Sequence, residues 1–159
     1  MNLSLIKAPP ELKNVFNNLM QFYIYDFSAY IECDVDDNGK FPDYAGLDDY
    51  WKNESNKFPY LIKKDDRYIG FVLVSKTDAA INNYWSIAEF FILSKYRRLG
   101  AGRLIATQVF NLHRGRWQVH QRMSNQPAQI FWTKVIAEYT NGKFAERYEG
   151  ERRFQHFEN

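Results

Sequence analysis

EFFILSKYRRLGAGRL, residues 89–104, changes character twice. An aromatic and apolar run gives way to the cations Lys95, Arg97 and Arg98, then to Gly100-Ala101-Gly102 and a new apolar pattern. The run NYWSIAEFFILS (83–94) reads as a buried central strand, because aromatic and β-branched residues suit a pleated, covered surface. GRLIATQVFNLHR (102–114) reads as a helix that places Leu104, Ile105, Val109, Phe110 and Leu112 on one side, with Gly115 as its stop. The quoted stretch is therefore a strand-to-helix turn. Orphan N–H groups at a helix start, together with the helix dipole, favour an anion, most naturally a phosphate. Gly100 and Gly102 let backbone approach a ligand closely, and Arg97, Arg98 and Arg103 add positive charge at the same mouth. G-x-x-x-x-G-K-[ST] is absent, and G-x-G-x-x-G fails because Ile105 stands where the third Gly belongs. The competing reading is a tight left-handed turn beside an exposed basic helix start.

Outward from this turn the chain alternates strands and helices. LSLIKA (3–8) is a first strand ended by Pro9-Pro10, and a helix follows from Glu11 and fades near Ile31. LDDYWKN (47–53) suggests a short helix capped by Asp48, and PYLIKK (59–64) with YIGFVLVSK (68–76) suggests a hairpin. After the central helix come a strand, RWQVHQRM (116–123), and a helix over 124–140 capped by Ser124 or Asn125 with Pro127 in its first turn. KFAERY and RRFQHFE close the chain as two strands. The order is β-α-α-β-β-β-α-β-α-β-β.

The totals bound the class. A length of 159 residues suits a single domain spanning 1–159 with a sizeable core, and 45% hydrophobic content suits a soluble globular chain. No apolar stretch approaches the ~20 residues a membrane helix needs, and the first residues lack a secretory leader, so a cytoplasmic setting is expected. Cys33, the only cysteine, is read as an ordinary thiol that cannot form an internal disulfide. Charge is unevenly placed although the net is only +2. Between Glu89 and Glu138 there is no acid, while the same interval carries Lys95, Arg97, Arg98, Arg103, Arg114, Arg116, Arg122 and Lys134. Such a block suits either a local anionic partner or a solvated basic face. Spread over one face with stacking aromatics it would suggest nucleic acid, but here it gathers at a phosphate turn, and no nucleic-acid partner is expected. DVDDNG (34–39) imitates the start of a calcium loop, but Ala45 stands where the bidentate Glu is needed, so an Asx-rich turn is expected. His113 and His120 have no second ligand at metal spacing and read as structural, His113 at a helix end where a cation is favourable. No metal is expected.

Arg97-Arg98-Leu99-Gly100-Ala101-Gly102, following EFFILSKY, resembles the [QR]-x-x-G-x-[GA] motif of the GNAT acetyltransferase superfamily, with a strand and loop similar to those of polyamine acetyltransferases. A second family block, N-x-x-A-x-x-F-[YW], appears as Asn125-Gln126-Pro127-Ala128-Gln129-Ile130-Phe131-Trp132. The resemblance implies an α+β, GNAT-like fold: a mixed, mostly antiparallel twisted sheet of six to seven strands flanked by about four helices. It implies acetyl-CoA as cosubstrate and a primary amine, on a small molecule or a peptide, as acceptor by direct transfer. By position, the backbone of Phe90, Phe91 and Ile92 would pair with the pantetheine arm, and N–H groups from Arg98 to Arg103 would hold the pyrophosphate. Asn125 would hydrogen-bond the pantetheine.

The chemistry requires a base for the amine, and Glu89 is the candidate; a glutamate among aromatics has a raised pKa if buried. The alternative is a solvated or arginine-paired glutamate. Where many family members carry a Tyr acid, this chain has Trp132, whose indole N–H cannot usefully protonate a thiolate. Trp132 is then a wall or a surface for the cofactor. Tyr139, two helical turns on, is the remaining candidate acid. Tyr23, Tyr25, Asp26, Tyr30, Glu32 and the Asp-rich loop either bind a cationic amine or serve as core and solvated surface. An acyl-CoA-binding module with little turnover is the rival function, and either a monomer or a homodimer is compatible.

Overall fold

The computed structural model describes residues 2–78 and 83–159. Seven strands form one sheet: β1 (Leu3–Lys7), β2 (Lys57–Lys64), β3 (Arg67–Asp78), β4 (Asn83–Ile92), β5 (Arg116–Arg122), β6 (Ala145–Glu149) and β7 (Arg152–Glu158). Four α-helices flank it: α1 (Lys13–Phe27), α2 (Asp49–Lys52), α3 (Ala101–Leu112) and α4 (Gln126–Thr140). The element order is the one the sequence implies. Spatially the strands run β1-β2-β3-β4-β5-β7-β6, and β4 against β5 is the parallel pair in an otherwise antiparallel sheet. A parallel pair needs a crossover, and α3 supplies it.

Alternation along the strands divides the core between two faces. Leu61, Phe71, Leu73 and Phe91 pack with Phe16, Leu19 and Met20 of α1. Ile62, Val72, Val74, Trp117 and Val119 pack with α3 and α4 through Ile105, Val109, Phe110, Trp132 and Ile136. β4 breaks strict alternation. Val74 opposes Ile87 and Leu73 opposes Glu89, so Ala88 is an extra residue on β4. This bulge explains why Ile87 lies in the α3–α4 core while Phe91, an even number of residues on, lies in the α1 core. It also turns Glu89 toward α1.

Several local expectations are corrected. The first helix ends at Phe27, short of Ile31; the Ser28 hydroxyl donates to the Tyr25 carbonyl at 2.7 Å and competes with helical continuation. Asp48 makes no side-chain cap on α2, because its carboxylate pairs with Lys13. Leu104 and Leu112 of α3 are exposed, and the buried stripe is Ala101, Ile105, Ala106, Val109 and Phe110. Leu104 falls nearly opposite that stripe, and Leu112 lies in the last turn beyond the packed core. His113 is not a helix-end cation. It is buried against Trp85 and Phe58, its Nε2 lies 2.9 Å from the Tyr60 hydroxyl, and desolvation pulls its pKa down to about 4. The 34–39 loop is the Asx turn expected there: Asp36 Oδ1 accepts from the backbone N–H of Asn38 and Lys40.

Candidate active site

The site begins where two parallel strands part. β4 and β5 are registered at Trp85–Trp117, and further along, between residues 87–90 and 120–122, a cavity of about 240 Å³ opens. Its lining comes from both faces of the sheet. Phe90, Gln121, Asn125, Ala128 and Trp132 contribute on the α3–α4 side. Tyr23 and Phe27 of α1, with Glu89, His120, Arg122 and Arg152, contribute on the other. The cavity is therefore a slot through the sheet, and the bulge at Ala88 places Glu89 at its α1 side.

Two tyrosines from distant segments fix Glu89. The Tyr23 hydroxyl donates to one carboxylate oxygen, and the Tyr44 hydroxyl donates to the other at 2.7 Å. Tyr23 is carried by α1. Tyr44 arrives on the loop after α1, which the Gln21 amide latches by accepting from Phe41 N–H at 2.9 Å and donating to the Phe41 carbonyl at 3.1 Å. Burial raises the Glu89 pKa above the usual carboxylate range, against the opposing pull of the two phenols and the Arg152 charge. Burial and the neighbouring carboxylate push both tyrosine pKa values up, so neither phenol is a ready proton donor. Glu89 is thus a buried carboxylate of raised pKa with both oxygens held in place.

The 97–103 turn stands at the start of α3 and meets the slot's wall indirectly, through Gly102 against the Phe131 ring, which packs on Phe90 and Trp132. Arg98 and Gly100 both adopt left-handed backbone, φ +61° and +82°. The first intrahelical bond runs from Leu104 N–H to the Gly100 carbonyl, leaving the N–H groups of Ala101, Gly102 and Arg103 ahead of it as first-turn donors. The two glycines serve different needs. Gly100 occupies a φ that side chains rarely adopt, with open space around it. Gly102 provides clearance inside the protein as well: a Cβ there would come within 3.0 Å of the Phe131 ring. The arginines divide similarly. Arg97 turns away from the turn's mouth, pairing with Asp26 at the end of α1, donating to the Ile92 carbonyl and lying over the Phe91 ring. Arg103 lies 3.7 Å from Glu138. Arg98 is exposed and has no carboxylate within 4.0 Å among the described residues.

A family model described as acetyltransferase (GNAT) family matches residues 18–136. The chain belongs to this family. No curated protein matches it by sequence. Solved structures share the fold of this GNAT acetyltransferase at low identity. An acetyltransferase from Thermus thermophilus is 11% identical with a TM-score of 0.67, covering 100% of this chain and 98% of that one. A PaiA N-acetyltransferase from Thermoplasma acidophilum, solved with coenzyme A, is 10% identical with a TM-score of 0.67 and covers 100% of both chains. A Pyrococcus horikoshii protein is 17% identical with a TM-score of 0.63, covering 99% of each. No helix among the described residues is long and apolar enough to cross a membrane.

The slot of this acetyltransferase gathers Glu89, Phe90, Asn125 and Trp132. Phe91 and Ile92 point into the two cores, and the Ile92 carbonyl already accepts from Arg97. Asn125 caps α4: its Oδ1 accepts from Ala128 N–H at 3.1 Å, which leaves its amide N–H₂ as the group free to meet a ligand. Trp132 is 6% exposed and packs against Phe90, Phe110 and Phe131 where it lines the slot. Tyr139 does not line the slot. Its hydroxyl donates to Asn111 and accepts from Asn159 at the far end of α4, about 10 Å along the helix from Trp132. Of the acids read either as amine-binding or as solvated surface, Asp26 pairs with Arg97, Asp43 with Lys40, and Glu32 lies outside the slot.

Sequence reasoning missed Tyr44, Arg152 and the placement of His120. Arg152 Nη1 lies 2.8 Å from His120 Nε2. Arginine is only a donor, so this contact leaves His120 neutral with its proton on Nδ1. Burial and the Arg152 charge hold its pKa below the ordinary value. The pairing of β5 with β7 brings Arg152 there: in register, it lies opposite Arg122, two positions from His120.

Proposed function

We propose that this GNAT acetyltransferase moves an acetyl group from acetyl-CoA directly to a primary amine, with Glu89 accepting the amine's proton. The observation that carries the reading is the Glu89 carboxylate, held by two phenols at the α1 side of a slot whose other side carries Asn125 and Trp132. Coenzyme would lie along the α3–α4 side. Its pyrophosphate would sit on the first-turn N–H groups after Gly100, with backbone from Arg98 to Arg103 and exposed Leu99 around it. Its pantetheine would run beside Phe90 and the Asn125 amide, and its thioester would reach the slot beside Trp132. The acceptor would enter from the α1 side.

Direct transfer fits the lining, which includes neither cysteine nor serine to carry an acyl intermediate. Glu89, with its raised pKa, takes the proton that the amine loses on attack. Thiolate departure needs no tyrosine acid: a thiolate is a stable leaving group, and Trp132 contributes shape. The reaction would take place in the cytoplasm, within a single domain spanning residues 1–159. The test supplies acetyl-CoA with a panel of amines and reads free thiol. Amine-dependent thiol release supports transfer. Stabilisation by acetyl-CoA with no release from any amine would instead identify an acyl-CoA-binding module.

A further inference from the structure

The α1 side of the slot carries more positive charge than an amine acceptor alone would favour. Arg122 on β5 and Arg152 on β7 are register partners on the same face, and both line the slot, Arg122 half-buried and Arg152 exposed. Like charges directly opposite on neighbouring strands are destabilising. The surrounding groups do little to relieve this. Arg122 has Glu151 at 3.6 Å, and that carboxylate is almost fully exposed. Glu149, the register partner of Arg152 on β6, is paired with Arg147 instead. Among the described residues no carboxylate lies within 4.0 Å of Arg152, whose contact is the neutral His120 ring. Glu89 is the one acid in the lining, and its raised pKa and two tyrosine partners leave it a weak counter-ion.

We infer that the acceptor is an amine that also carries a carboxylate, which Arg152 and Arg122 hold while the amine faces Glu89. This rests on the acetyl-transfer reading of the slot. Arginine forks match a carboxylate with paired hydrogen bonds, and an anion between them offsets the cross-strand repulsion. The slot, at about 240 Å³, is smaller than most ligand pockets, so a compact acceptor of amino-acid size fits it. The acidic segments near α1 would play no part in this recognition.

The experiment compares kcat/KM, by thiol release, for amino acids against their amides and decarboxylated amines, with phosphoethanolamine and ethanolamine as a phosphate-bearing pair. The expected result is a preference of about 10- to 100-fold for the amino acid over its amide and over its decarboxylated amine. Arg152→Gln should collapse that preference toward one, and Arg152→Glu should reverse it. Equal or better use of the amides by the native protein would overturn the inference while leaving acetyl transfer standing. So would a preference confined to the phosphate-bearing amine. If no amine releases thiol, the transfer reading itself fails, and thermal shift of the coenzyme-bound protein then decides the anion site. Stabilisation by amino acids but not their amides, lost in Arg152→Gln, supports it; no such difference overturns it.

Discussion

The two sides of the slot are built in opposite ways. On the α3 side, the groups proposed to hold the coenzyme's pyrophosphate are backbone N–H donors from one contiguous turn, shaped by Arg98, Gly100 and Gly102. On the α1 side the groups are side chains from separate segments: Tyr23 from α1, Tyr44 from a loop, Glu89 from β4, His120 from β5 and Arg152 from β7. A backbone site tolerates changes of side chain but not changes of backbone shape. A side-chain site is the reverse. Substitutions should therefore separate coenzyme binding from chemistry.

The largest effect belongs to Glu89. Glu89→Gln should lower kcat by about 10²- to 10⁴-fold, the usual contribution of a positioned base, while coenzyme affinity measured by calorimetry changes little. Equal loss in both would erase the distinction between the two sides. On the other side, Gly102→Val should weaken coenzyme affinity and cost about 1–3 kcal/mol of stability in urea unfolding, because its side chain must displace the Phe131 ring. Native stability with native affinity would show that the close approach does not matter.

A histidine comparison sharpens the contrast. His113, buried in the core, has its pKa lowered to about 4, so its neutral form stabilises the fold above pH ~6.5. The unfolded chain binds that proton first, so stability should fall as pH drops from about 6.5 to about 4, by up to ~3 kcal/mol. Urea midpoints across this range should show the decline, reduced in His113→Gln. The smallest effect should come from Asp26→Asn. Its ion pair with Arg97 is exposed on both sides, so the loss should be under about 1 kcal/mol, with kcat nearly native.

The same contrast explains what could be read from the sequence. The order of elements, the turn and a cap at Ser124 or Asn125 depend on residues close together in the chain, so local patterns revealed them. Glu89 was legible as one acid in an aromatic strand. Its partners were not, because Tyr44 reaches it only when the Gln21 amide latches the loop, and Arg152 only when β7 returns beside β5. Arg97 shows the limit of reading charge by proximity. It belongs to the phosphate motif by sequence, yet its guanidinium anchors α1 through Asp26. The bulge at Ala88, which turns Glu89 toward the tyrosines, has no sequence signature of its own.

Whether Glu89 accepts the amine's proton is read from the pH–rate profile of acetyl transfer. Because the Glu89 pKa is raised, kcat/KM should rise with pH through a limb lying above the usual carboxylate range, then level as Glu89 becomes ionised. Tyr44→Phe, which removes a hydrogen bond to the carboxylate, should move the limb to still higher pH. In Glu89→Gln the limb should disappear. The same limb in both native protein and Glu89→Gln would show that another group accepts the proton, contradicting the account.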